Sequence, residues 1–137
     1  MLVQDSYRNF DFILPSLIDW RRHWEGRYEH PLLDVENFKM NERGMLTEIG
    51  GRASSLNEIQ GQYMGVFLLK PNAWANLKYI YEGLPSHEKS SADLTSIFSK
   101  YIERGGLIKV VPYEGFWGEI DNCKDLSYYT GVLSSFE

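Results

Sequence analysis

The chain is expected to fold as an α/β domain, and three observations carry that expectation. The segment YMGVFLLK, beginning at Tyr63, is almost continuously apolar. Such a run suits a strand buried on both faces of a largely parallel, helix-covered sheet. SSADLTSIFSKYIERGG, beginning at Ser90, puts Leu94, Ile97, Phe98, Tyr101 and Ile102 on one helical stripe. From Tyr63 onward the order reads strand, helix, helix, strand, strand, helix, which is an α/β alternation.

Taken in order, the elements have local reasons. FDFILPSLIDW opens as an apolar run and meets Pro15, whose missing donor predicts an edge strand or a strand end. Asp19 can cap a short helix in which Trp20 and Trp24 share a face. HPLLDVENFKM and NERGMLTEIG read as two strands around a turn at Asn41 to Gly44. GGRASSLNEIQGQ is polar and flanked by glycine, as a loop or lid would be. Gly65, inside the apolar run, predicts a close approach to the backbone. Pro71 suits a first helical turn, Trp74, Leu77 and Tyr81 follow at helical spacing, and Gly83 and Pro85 end the helix. Ser90 with Asp93 fits a capping box, and Gly105 with Gly106 supplies the stop. LIKVVP and EGFWGEI are expected as strands, and CKDLSYYTGVL as a final helix.

The bulk properties limit the function classes. The 137 residues fit one domain spanning 1–137, and 43% hydrophobic with 15% aromatic residues can build a core. A net charge of −5 argues against a nucleic-acid partner but leaves a small phosphorylated ligand open. One cysteine, Cys123, excludes an internal disulfide and predicts a reducing, cytoplasmic setting. No apolar run is long enough for a membrane span, and MLVQDSYRNFD shows no secretory signal.

The chemistry concentrates in GFWGEID. Glu119 and Asp121 stand one residue apart, so an extended backbone sends both to one side. Two carboxylates on one side repel unless a positive group stands beside them. Asp121 is expected at the carboxyl end of a strand, where open α/β sheets bind ligands.

EIQGQYMGVFLLKPNAW, SADLTSIFSKYIERG and GFWGEIDNCKDL, in this order, resemble the C-terminal half of a sugar-nucleotidyltransferase-type domain. DWRRHWEGRYEHPLLDVENFK followed by GMLTEIG extends the likeness to the phosphocholine cytidylyltransferase-like branch, from about Phe10 to Leu133. The resemblance implies a three-layer, Rossmann-like nucleotidyltransferase fold with a mixed sheet. It implies attack of a phosphate monoester, such as phosphocholine or a sugar phosphate, on the α-phosphate of a nucleoside triphosphate, CTP favoured. Pyrophosphate leaves and Mg2+ assists. The aspartate of the family's W-x-E-I/V-D element is a magnesium ligand and maps onto Asp121, with Glu119 beside it as a substrate-binding candidate. Gln62 and Tyr63 match the G-E/Q-Y-M-G element near the acceptor. Arg52 is the nearest substitute for the basic residue that follows E-I-G.

The sequence also departs from the family. The glycine-rich nucleotide loop and its acidic metal motif are not in it, and Pro15, Ser16 and Leu17 stand where an acid is expected, with only Asp19 kept. The chain is therefore expected to correspond to a domain lacking its N-terminal nucleotide-binding half, truncated and inactive or incomplete by itself. The alternative is a non-catalytic ligand-binding or interaction domain derived from that fold, associating with a partner chain or with another copy through an uncovered sheet edge.

Each candidate residue has a plainer reading. Asp121 can be a helix N-cap, Glu119 a solvent-facing strand residue, Gln62 and Tyr63 strand-entry residues, and Arg52 a solvated loop cation. Trp74 and Trp117 read as core anchors rather than ligand stackers. Trp20, Arg21, Arg22, Trp24 and Arg27 read as an amphipathic helix with snorkelling arginines. His23, His30 and His87 are expected at the surface, and Cys123 as a buried or capping thiol.

Overall fold

The computed structural model describes residues 7–135. Strand β1 (Phe12–Leu17) is the axis of a mixed four-stranded sheet. Strand β6 (Lys109–Tyr113) runs parallel to it on one side, from Ile13↔Lys109 to Leu17↔Tyr113. On the other side β4 (Gln62–Tyr63) and β5 (Leu68–Leu69) both run antiparallel to it. All six β1 residues are buried, so both of its faces are covered.

Pro15 is thus central, not at an edge, and the pairing explains why it is tolerated. Ile18 N–H donates to Tyr113 O, toward β6. Donors alternate along a strand, so Pro15's missing N–H faces the opposite side. There the partner strand is interrupted. From Ser16↔Tyr63 to Ile13↔Leu68 the chain moves three residues along β1 and five along its partner. The two extra residues lie within 64–67, opposite the position that cannot donate. Gly65 adopts φ +74° in this break, with open space where a Cβ would sit. Its use is a left-handed turn, not the close approach expected, and YMGVFLLK is two short strand ends rather than one buried strand.

Strands β2 (Glu36–Met40) and β3 (Leu46–Arg52) form a separate hairpin. Asn41 makes its turn as expected, its Oδ1 accepting from Arg43 and Met45 N–H while Gly44 takes φ +68°. The hairpin joins both flanks of the larger sheet. Leu46 N–H donates to Ile108 O and Val110 N–H to Gly44 O at β6, and Gln60 N–H donates to Phe38 O beside β4. Because Val110 donates outward from β6, Pro112 has its missing donor on the same outer edge, which blunts strand addition there.

The helices are α1 (Trp20–Arg27), α2 (Pro71–Glu82), the single turn α3 (Ser86–Lys89), α4 (Leu94–Glu103) and α5 (Cys123–Ser134). Helix α4 buries Ile97, Phe98 and Tyr101, and Phe98 meets Phe12 edge-on at 4.9 Å. Its cap is Asp93, accepting from Ser96 N–H at 2.8 Å, whereas Ser90 Oγ donates to His87 O. Helix α2 buries Ala73, Leu77 and Ile80, so Trp74 is 59% exposed rather than a core anchor. EGFWGEI is not a strand. After Tyr113 the chain runs irregularly to α5, and a ladder is replaced by side-chain contacts. Among the described residues no helix is long and apolar enough to cross a membrane.

Candidate functional site

Helix α1 places one arginine unlike the others. Trp20, His23 and Trp24 form its buried face, and Arg27 lies three residues beyond Trp24 on that face. Arg21 and Arg22 point to solvent and pair with Glu25 and Asp19. The Arg27 side chain is 0% exposed. Its guanidinium lies 5.6 Å from the Trp24 ring centre, 5.0 Å from Tyr28 and 5.7 Å from Tyr129. Trp24 itself is fixed by donating to Asp34 Oδ2 at 2.8 Å and by stacking on Trp117 at 6.0 Å. Trp117 is the anchor that the sequence predicted.

Three carboxylates converge on that guanidinium. Asp125, almost fully buried, accepts from Arg27 Nε at 3.2 Å through Oδ1 and lies 3.1 Å from Nη2 through Oδ2. Asp121 Oδ2 is 3.4 Å from Nη2, and Glu119 Oε1 is 3.6 Å from Nη1. The cation required beside the acid pair is therefore Arg27. Its helical spacing from Trp20 and Trp24 was the available signal, obscured by grouping it with the exposed Arg21 and Arg22.

The loop that carries the acids is shaped from both ends. His23 Nε2 lies 3.0 Å from Gly115 O, which ties the loop to the residues that follow β1. His23 is thus buried rather than at the surface. Gly118 packs on the Tyr129 ring so closely that an added methyl group would overlap it. The cap of α5 is Asn122, whose Oδ1 accepts from Lys124 and Asp125 N–H, so Asp121 is released from the capping role. Asp125 Oδ2 accepts from Asp121 N–H at 3.1 Å and Asn122 Nδ2 at 2.9 Å. Cys123 is exposed, not buried.

Electrostatics separate the three acids. The Arg27 hydrogen bond holds Asp125 below its ordinary pKa. Burial, then the neighbouring Asp121 charge, pushes Glu119 up. Burial works against the Arg27 charge, but the Asp125 hydrogen bond and nearby groups outweigh it and raise its pKa. The Asp121 side chain remains 62% exposed.

Of the other sequence candidates, Gln62 and Arg52 meet elsewhere, around Glu36. Gln62 is buried, its Oε1 accepting from Glu36 N–H at 3.3 Å and its Nε2 donating to Glu36 O at 2.8 Å and Gly61 O at 2.9 Å. Arg52 is exposed at the end of β3, facing Glu36 across the hairpin. Tyr63 packs edge-on against Phe98, and its hydroxyl is buried without a hydrogen-bond partner among the described residues. Burial also raises its pKa.

Among the described residues no three His, Cys, Asp or Glu side chains form a metal cage. Asp121 nevertheless fits one protein ligand of Mg2+: a hard, exposed carboxylate, with the remaining positions left to phosphate oxygens and water. The guanidinium occupies the inner side of the carboxylate group, so a cation can approach only from the outer side.

No protein-family model matches the chain. It is 31% identical over 113 residues to a CTP:phosphoglutamine cytidylyltransferase of Campylobacter jejuni, an alignment covering 78% of this chain and 44% of the relative. The nucleoside-diphosphate-sugar pyrophosphorylase of Vibrio cholerae RC9 superposes on 98% of the chain, over 50% of its own length, with a TM-score of 0.59 and 13% identity. The inositol-1-phosphate CTP transferase of T. maritima covers 93% of the chain and 45% of itself, with a TM-score of 0.58 and 20% identity. The chain spans about half the length of each.

Proposed function

We propose that this chain, a member of the cytidylyltransferase-like nucleotidyltransferase family, contributes the acceptor- and metal-binding part of a nucleotidyl transfer. The donor is a nucleoside triphosphate, with CTP favoured by the cytidylyltransferase relative. The acceptor is a phosphorylated small molecule. The observation that carries the reading is the exposed Asp121 carboxylate in the loop that follows β6, a loop tied through Gly115 to His23 of the helix that follows β1; ligands of open α/β sheets bind outside strand carboxyl ends.

The reaction is in-line attack of a phosphate monoester oxygen on the α-phosphorus, with pyrophosphate leaving. Such transfers need positioning and charge neutralisation more than covalent help from protein. Magnesium, when bound, neutralises phosphate charge. Asp121 would hold it. Glu119, two residues earlier and partly buried, would face the same ligand. Tyr63 would border the acceptor, and Gln62 would act through the strand it clamps to Glu36. Arg52, exposed on its hairpin end, would meet phosphate oxygens.

A second reading, a non-catalytic binding domain of the same fold, is favoured by the buried Pro15, Ser16 and Leu17 that stand where an acid is expected. One experiment separates the two. Pyrophosphate release from CTP is measured with phosphocholine and with sugar phosphates, with and without Mg2+, alongside acceptor binding by calorimetry. We expect no turnover by this chain alone, with acceptor binding strengthened by Mg2+ and weakened in Asp121→Asn. Robust release would overturn the non-catalytic reading. Acceptor binding indifferent both to Mg2+ and to Asp121→Asn would leave only the non-catalytic reading.

A further inference from the structure

We infer that Arg27 is a positioning residue for the acid pair: it fixes where Asp121 and Glu119 stand while leaving the outer side of Asp121 free for a divalent cation. The inference rests on the metal role proposed for Asp121. Its support is the asymmetry of the Arg27 contacts. On the protein side the guanidinium is locked, with a two-point grip on Asp125 and three aromatic rings around it. On the acid side it is loose. Nη2 is 3.4 Å from Asp121 Oδ2, and Nη1 has no hydrogen-bond partner among the described residues and stands 3.6 Å from Glu119 Oε1.

A short bidentate bond to Asp121 would have consumed the carboxylate. A contact of this length aims it and leaves it largely in solvent. The fork matters more than the charge. An ammonium on the same stem lacks the geometry to grip both Asp125 oxygens and still reach two further acids. Outer-shell partners of this kind typically change metal affinity 10- to 100-fold when altered.

The test uses Mn2+ as the probe, with binding followed by electron paramagnetic resonance on the whole chain. Asp121→Asn should abolish binding, and Arg27→Lys should weaken it about 10-fold. Circular dichroism reports whether Arg27→Lys remains folded. A second arm needs no Arg27 variant. With 15N-arginine labelling, the buried Arg27 Nε–H resonance should shift on addition of Mg2+ in the parent chain and stay still in Asp121→Asn. Unchanged Mn2+ affinity in a folded Arg27→Lys, or an unmoved Arg27 resonance at saturating Mg2+, overturns the inference and leaves the metal role of Asp121 standing. No Mn2+ binding by the parent chain overturns both.

Discussion

Replacing Arg27 by Met should destabilise the protein strongly, and the cost follows from what stays behind. Asp125 would keep its burial and lose the guanidinium. Breaking one side of a buried ion pair costs about 3–5 kcal/mol. Here the lower end applies, about 3 kcal/mol, because Asp125 Oδ2 retains the Asp121 and Asn122 donors and only Oδ1 is stranded. Domains have about 5–15 kcal/mol in all, so this is a large fraction. At about 3 °C per kcal/mol for a chain of this size, the melting temperature should fall by about 10 °C. The assay is urea and thermal unfolding followed by circular dichroism and tryptophan fluorescence. The double variant Arg27→Met/Asp125→Leu should recover much of the loss, because an apolar pair carries no desolvated charge. Recovery will be incomplete, since Asp121 N–H and Asn122 Nδ2 lose their acceptor. A coupling of about 2 kcal/mol between the two positions is expected. A single-variant loss under about 1 kcal/mol, or strict additivity, would refute a buried, paired Arg27–Asp125 contact.

Three further outcomes can be checked on the same material. Stability should peak on the mildly acidic side. Asp125 and Asp93 have lowered pKa values, from the Arg27 and Ser96 hydrogen bonds respectively, so their contribution is full above the unfolded value near 4 and is lost as pH falls below it. Glu36 and Glu119 are raised, first by burial, so the folded state holds their protons more tightly and stability declines as pH rises through their folded values. A flat denaturation profile between pH 3 and 7 would contradict this. Gly65→Ala should cost about 1 kcal/mol through its positive φ alone, and Gly61→Ala more, about 1–3 kcal/mol, because its methyl group would overlap the buried Ser16 hydroxyl. Equal losses in chemical denaturation would show that the Ser16 contact is slack. Asp93→Ala should remove the α4 cap at a cost of about 1 kcal/mol. No change in urea midpoint would exclude Asp93 as the cap.

The elements legible in the sequence were those whose reasons are local. The Asn41 turn, helix α2 behind Pro71, the α4 stripe apart from the exposed Leu94, and α5 all follow from residues within a few positions of one another. What was missed depends on pairing. Pro15 reads as an edge signal until one knows which side its nitrogen faces, and that side is set by β6, about a hundred residues away. The break in YMGVFLLK answers the same proline, so one fact about β1 accounts for two errors. GFWGEI reads as a strand, yet nothing among the described residues pairs with it. At the site, Glu119 and Asp121 were found as a pair, and the need for a cation beside them followed from charge alone. Which arginine served could be read only from burial, because Arg21, Arg22 and Arg27 look alike in composition. Trp74 erred in the opposite direction: the buried face of α2 is narrower than its apolar content implies.

The absence of a ladder in GFWGEID has a functional consequence. A carboxylate on a paired strand moves only if the sheet moves. Here the positions of Glu119 and Asp121 are set instead by side chains: His23 holding Gly115, Gly118 against Tyr129, Asn122 and Asp125 at the head of α5, and Arg27 at the end of α1. Two segments far apart in sequence, 24–28 and 119–129, meet at one guanidinium, so displacement of the acids is resisted by packing and ion pairing rather than by backbone hydrogen bonds. The inner side of the acid pair is buried against a permanent cation, which limits repulsion between the two carboxylates before any ligand arrives. The outer side is solvent-exposed at Asp121, so a positively charged ligand meets an oriented carboxylate rather than a mobile one. That division between an anchored side and an open side depends on burial of Arg27, and it would vanish with an exposed lysine in its place.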